Sequence, residues 1–85
     1  MNKRREFLAG EKELLVYIIM NGGAVDMGSL SEGMRNTIVC WKDTFMFQEP
    51  VPTVELNYAL DTIRVTKWGR EALAKGEASL TYTTD

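Results

Sequence analysis

The chain has no histidine and a single cysteine, Cys40, among its 85 residues. Zinc sites are assembled mostly from these two residue types, so one chain holds almost nothing from which to build a zinc centre. Ser-His-Asp and Cys-His nucleophile arrangements are impossible without an imidazole. One cysteine cannot form an internal disulfide and no signal sequence opens the chain, so the expected setting is the reducing cytoplasm. The longest apolar run, Leu14 to Met20, stops well short of the ~20 residues of a membrane span, and no membrane is expected. Neither sign of charge dominates: 10 Lys and Arg face 12 Asp and Glu, a net charge of −2. That argues against a strongly basic nucleic-acid coater but leaves room for a local basic face. No Gly-x-x-x-x-Gly-Lys-Ser/Thr phosphate loop is present, and Gly22-Gly23 lacks the strand, spacing and lysine that one needs. Carboxylates at unknown separation do not make an acid–base pair. The expectation is a protein that is not an enzyme and takes no cofactor or metal.

What remains is ordinary for a globular chain: 45% hydrophobic, 26% charged and 9% aromatic residues. This composition argues against intrinsic disorder and suits one small domain over 1–85, with 1–6 and 79–85 as loose ends. A domain of this size buries only about 60% of its unfolded surface, so its core is modest.

Asn2-Lys3-Arg4-Arg5 reads as a frayed arm or the first turn of a helix. Glu11 to Asn21 is the clearest helix: Leu14, Leu15, Ile18 and Ile19 fall at helical spacing, and Phe7 and Leu8 extend the stripe backwards. Glu11 and Glu13 suit the positive end of its dipole, and Asn21-Gly22-Gly23 stops it. Asp26 is a candidate cap for a second, short helix carrying Met27, Leu30 and Met34, with Gly28 and Gly33 lowering its propensity. After a break at Gly33 to Asn36, Asn36 or Thr37 caps a third helix from Ile38 to about Phe45, with Ile38, Trp41, Lys42 and Phe45 on one face. Phe45-Met46-Phe47 fits an extended strand equally well. Pro50-Val51-Pro52 closes this element.

From Thr53 the period changes. Val54, Leu56, Tyr58 and Leu60 alternate with polar or small residues, and so do Ile63 and Val65. The pattern predicts two half-buried strands in a hairpin turning around Leu60-Asp61-Thr62, with a single helix through Leu56, Leu60 and Ile63 as the alternative. Lys67 to Ala78 predicts a last short helix with Trp68, Ala72 and Leu73 inward, ending at Gly76. The Thr-rich tail from Ser79 is a final edge strand or loose. Helix, helix, helix, hairpin, helix is a compact α+β order.

The segment Ile63-Arg64-Val65-Thr66-Lys67-Trp68-Gly69-Arg70-Glu71-Ala72-Leu73 resembles a recurrent feature of the winged-helix superfamily. There the last wing strand ends in apolar-x-apolar-Thr-x-x-Gly, and a helix follows with Leu four residues on. Thr66, Gly69 and Leu73 match those positions. The resemblance implies a small winged helix-turn-helix domain: three helices, a β-hairpin wing and a short C-terminal helix. It also implies a sequence-specific transcriptional regulator of bacterial, phage or mobile-element type, whose recognition helix, about 36–45, enters the major groove of double-stranded DNA. The DNA contacts so implied are Arg35, Asn36, Thr37 and Lys42 on that helix, joined by Arg64 on the wing and by Lys67 and Arg70 just beyond it. Members of this type also pair as homodimers, for which Phe7, Leu8 and the tail are the available chain ends.

Two observations pull against this reading. The recognition helix is sparse in Arg and Lys, and the wing tip near Asp61 is acidic and lacks a glycine. The alternative is a winged-helix-like module without DNA binding, such as a small adaptor or a phage-encoded inhibitor, whose partner is a host or regulatory protein. The two basic islands, Arg35 with Lys42 and Arg64 with Lys67 and Arg70, favour DNA, because polarised charge is the footprint of a nucleic-acid face. Their convergence on one face is the expectation that separates the readings. Trp41 and Trp68 read as core pieces, with base stacking beside Lys42 and Lys67 as the rival role. The methionines read as gap fillers and Cys40 as a small buried apolar residue.

Overall fold

Alternating residues after Thr53 have one way to bury a single face, and the chain takes it. Val54–Asn57 (β3) and Thr62–Val65 (β4) pair antiparallel with Val54 opposite Val65 and Asn57 opposite Thr62. The computed structural model describes residues 4–41, 52–76 and 78–79. It shows a small α+β domain with three α-helices and a three-stranded antiparallel sheet. The third strand is Ala24–Asp26 (β2), which lies along the other side of β4, giving the order β2-β4-β3. Side chains alternate across such a sheet. Val25, Val54, Leu56, Ile63 and Val65 therefore face the core, and Ala24, Asp26, Glu55, Asn57, Thr62 and Arg64 face away from it.

The helix Glu11–Met20 (α1) supplies the other half of the core. Leu14, Leu15 and Ile18 are completely buried against Ile63 and Val54. Phe7 and Leu8, both half-buried, also pack on this cluster. The helix ends at Asn21-Gly22-Gly23 as expected, with the Gly23 amide donating back to the Ile18 carbonyl at 2.9 Å. Lys67–Lys75 (α3) is capped at both ends. The Gly69 amide donates to Thr66 Oγ1 at 3.1 Å, and Gly76 closes the helix in the left-handed conformation. Two residue pairs at the chain ends, Arg4–Arg5 (β1) and Ala78–Ser79 (β5), form a separate antiparallel bridge. The opening basic run thus takes extended backbone at these two residues, where an arm or helical turn was expected.

The stretch between β2 and the hairpin departs most from expectation. Asp26 starts no α-helix. Residues Met27–Ser29 make one 3₁₀ turn, because β4 draws residues 24–26 into the sheet and the Met27 amide donates to the Asp61 carbonyl at 2.9 Å. The next helix, Glu32–Trp41 (α2), begins well before Asn36 and Thr37. Ser31 is its cap, accepting from the Met34 amide at 3.2 Å, a ready-made N-terminal signal. Gly33 is absorbed into the first turn and no break follows it. Lys42 and the expected far end of this helix, along with Phe45-Met46-Phe47, lie outside the described residues.

The hairpin turn is also displaced. It spans Tyr58 to Asp61, so Tyr58 and Leu60 leave the alternating pattern and stand 84% and 68% exposed. Asp61 takes the left-handed conformation (φ 53) that glycine usually supplies, and Asn57 Oδ1 accepts from the Leu60 amide at 3.1 Å. An Asx-type bond and an Asp tolerant of positive φ do the work of the missing glycine.

Glu11 is fully buried. It accepts from the Leu8 amide at 2.9 Å on Oε1 and from the Thr53 hydroxyl at 2.7 Å on Oε2. The Thr53 carbonyl in turn accepts from the Thr66 amide at 3.0 Å, and the Thr66 hydroxyl donates to the Pro52 carbonyl. Gly69 seats α3 on this junction: a Cβ there would collide with the Thr53 carbonyl oxygen and lie 2.7 Å from Val65 Cγ1.

Glu11→Ala takes the acceptor from the buried Thr53 hydroxyl and the part-buried Leu8 amide and is expected to cost about 3 kcal/mol, lowering the melting temperature by roughly 15 °C. Gln, which keeps one acceptor, should cost less. Gly69→Ala should destabilise by about 2 kcal/mol through overpacking, against the sign of helix propensity, which favours Ala by about 1 kcal/mol. Thermal and urea unfolding check both.

Candidate nucleic-acid interface

α2 divides cleanly along its length. Met34, Thr37, Ile38 and Trp41 are buried or half-buried, while Glu32, Arg35, Asn36, Val39 and Cys40 are exposed. The exposed set follows i, i+3, i+4, i+7, i+8 spacing and so forms one continuous stripe. Packing fixes its direction. Ile38 is 4% exposed in the core, and the Trp41 indole donates to the Ala9 carbonyl at 3.1 Å. Gly10, held at φ 83, leaves space that the Thr37 side chain fills.

Arg35 lies on the exposed stripe. One Nη donates to the Gly28 carbonyl at 2.9 Å, which steadies the side chain against the 3₁₀ turn and uses one of its five N–H donors. Asn36 is exposed, and its side chain makes no hydrogen bond among the described residues. Thr37 does not share this surface. Its hydroxyl donates to the Gly33 carbonyl at 3.1 Å and its side chain turns toward Gly10. Cys40 is exposed, where a buried residue was expected.

The second basic island splits on inspection. Arg64 projects from the sheet face opposite to the core, directly across from Glu55, and its Nε donates to Glu55 Oε2 at 2.8 Å while an Nη pairs with the same oxygen. Its charge is matched locally, and Asp26 stands on the same sheet face. Lys67 and Arg70, at i and i+3, share the exposed side of α3. Lys67 Nζ lies 5.1 Å from the centroid of the Trp68 ring, a cation–π contact. The Arg70 guanidinium rests on Gly23, beside the start of β2, whose Ala24 is the cross-strand partner of Arg64. Arg64 and Arg70 therefore flank one short segment, residues 23–24, while Arg35 belongs to a different helix. Among the described candidate contacts the cations form two groups, and Arg64 is the one held in an ion pair.

Sequence reasoning passed over Val39, 68% exposed and on the same stripe as Arg35 and Asn36. The helix start at Ser31 was the signal that would have found it, because it sets the rotation of α2. Among the described residues no grouping of His, Cys, Asp and Glu could hold a metal ion, and no helix is long and apolar enough to cross a membrane. Comparison with family models, curated proteins and solved structures gives no significant match.

The Arg64–Glu55 pair is solvent-exposed on both sides, so its worth is limited. A double-mutant cycle with Arg64→Ala and Glu55→Ala should return a coupling of about 0.5 kcal/mol that shrinks as salt is added.

Proposed function

We propose that the chain is a winged-helix-type DNA-binding domain of a transcriptional regulator, which lays α2 in the major groove. The observation that carries this reading is the outward stripe of α2, with Arg35 and Asn36 side by side on a helix whose opposite face is fixed by the core. A helix fits the major groove, an Arg fork matches guanine O6 and N7, and an Asn amide matches adenine N6 and N7. The element order supports it too. A helix, a short strand, a second helix and a hairpin whose later strand pairs with that first strand are compatible with a winged-helix-like arrangement. The hairpin is the wing, and Lys67 and Arg70 supply backbone contacts. Lys42, which follows Trp41 in the sequence and lies outside the described residues, adds a cation.

Arg64 is the weakest of the proposed contacts, because the Glu55 carboxylate competes with phosphate for its guanidinium. The partner is duplex DNA, and its sequence-independent affinity comes from about three cations. Log affinity should therefore fall with log salt at a slope near −3.

Fluorescence anisotropy with duplex DNA tests the reading. Arg35→Ala and Asn36→Ala should each weaken specific binding by about tenfold or more, and Arg64→Ala should change it less than about twofold, on the scale of an exposed pair. Absence of any duplex affinity at low salt removes the proposal.

A second reading has its own support. Tyr58 and Leu60 stand exposed together at the hairpin tip, beside acidic Asp61, in a chain of net charge −2. These features suit a protein partner better than a phosphate backbone. If duplex DNA does not bind, a nuclease-insensitive complex lost on Tyr58→Ala and Leu60→Ala is the result that this reading requires.

A further inference from the structure

Val39 gains no burial from its position. It is 68% exposed, while the other large apolar residues of α2, Met34, Ile38 and Trp41, all pack on the core. A β-branched residue is also a poorer helix former than Ala, so neither packing nor propensity accounts for it. Its neighbours do suggest a role. Val39 stands one helical turn beyond Arg35 (i+4) and Asn36 (i+3), so the three side chains make one contiguous patch. Each presents a different chemistry: a fork of N–H donors, an amide with donor and acceptor, and a pair of methyl groups. The major-groove edges of guanine, adenine and thymine offer the matching sites, the last through the C5-methyl group. Four residues of helix advance about 6 Å and stacked base pairs are about 3.4 Å apart. The methyls of Val39 thus reach a base one or two steps from the one engaged by Arg35.

We infer that Val39 is a specificity-determining residue that reads thymine, placing its γ-methyls against the 5-methyl group beside the purines met by Arg35 and Asn36. This rests on the DNA reading above and extends it from binding to base choice. A methyl contact of this kind also separates DNA from RNA, whose uracil lacks the group.

The test uses the full chain and a duplex recovered from a random-sequence DNA pool by repeated selection. In copies of that duplex, each thymine is replaced in turn by deoxyuracil, which removes one methyl and leaves charge and base pairing unchanged. One replacement should weaken binding about fourfold, the worth of one buried methyl. Val39→Ala, which should fold at least as well because Ala favours helix, should bind thymine and uracil duplexes equally. Val39→Thr, which keeps one γ-methyl, should retain part of the discrimination, and Asn36→Ala should retain all of it at lower affinity. If no uracil replacement matters, or if Val39→Ala keeps the full penalty, the thymine assignment is overturned while DNA binding stands. If the pool yields no salt-sensitive binder at all, the DNA reading itself fails and the assignment falls with it.

Discussion

A buried carboxylate holds this small domain together. Glu11 ties the loop before α1 to Thr53 at the head of the hairpin. The same threonine receives the Thr66 amide through its carbonyl, and Gly69 lets α3 close down on that carbonyl. Three separate stretches of chain thus meet at one polar junction inside an apolar core. A charge in such a place is tolerable only when its acceptor sites are used. Its geometric demand is correspondingly strict, and α1, the hairpin and α3 have one mutual arrangement that satisfies it. The loop before α1 also anchors α2, through the Ala9 carbonyl that accepts from Trp41 and through the Gly10 contact with Thr37. The residues from Leu8 to Glu11 therefore set the position of both the hairpin and α2.

Features carried by periodicity or by a strong cap were readable from the sequence. The apolar stripe of α1, its stop at Asn21-Gly22-Gly23, the alternation at Val54–Leu56 and Ile63–Val65, and the Thr66-x-x-Gly69 start of α3 are local signals, and each corresponds to an observed element. The stretch from Ala24 to Asn36 was misread because its outcome is decided elsewhere. Nothing in Ala24-Val25-Asp26 announces a strand until Thr62, Ile63 and Arg64 arrive to pair with it. Asp26 and Ser31 are both plausible caps, and the sheet removes the first from contention. Glu11 was read as a dipole partner, and its burial depends on Thr53, a residue far along the chain. In each case a long-range partner outweighed local preference.

Charge was legible in amount but not in arrangement. Arg64, Lys67 and Arg70 read as one basic island because sequence proximity hides what stands opposite. Strand pairing brings Glu55 to Arg64, and the β-to-α junction after Val65 sends Lys67 and Arg70 along a different element. Residues two apart on a strand share a face, and residues three apart on a helix do so as well. An island that crosses such a junction is divided by the change of period alone. For the same reason Thr37, one residue from Asn36, turns inward. Candidate contacts drawn from a run of neighbours in sequence always mix the two sides of a helix.

The two faces of α2 answer to different constraints. Met34, Thr37, Ile38 and Trp41 are specified by what they touch, and changing them would cost packing or a hydrogen bond. Glu32, Arg35, Asn36, Val39 and Cys40 lie in solvent, and only Arg35 among them makes a tertiary hydrogen bond recorded in the described residues. Folding would accept Ala or Lys at most of these sites with equal or better helix propensity. An exposed Val beside an unpartnered Asn is therefore informative, since neither residue improves the helix that carries it. The hairpin tip differs on this point. Tyr58 and Leu60 are exposed, but the turn around them is itself constrained by Asn57 and by the Asp61 carbonyl that receives Met27. On α2 the scaffold and the displayed surface are separable. Substitutions on its outer face change the displayed chemistry without disturbing the junction at Glu11 that positions it, so the DNA proposal can be tested apart from folding.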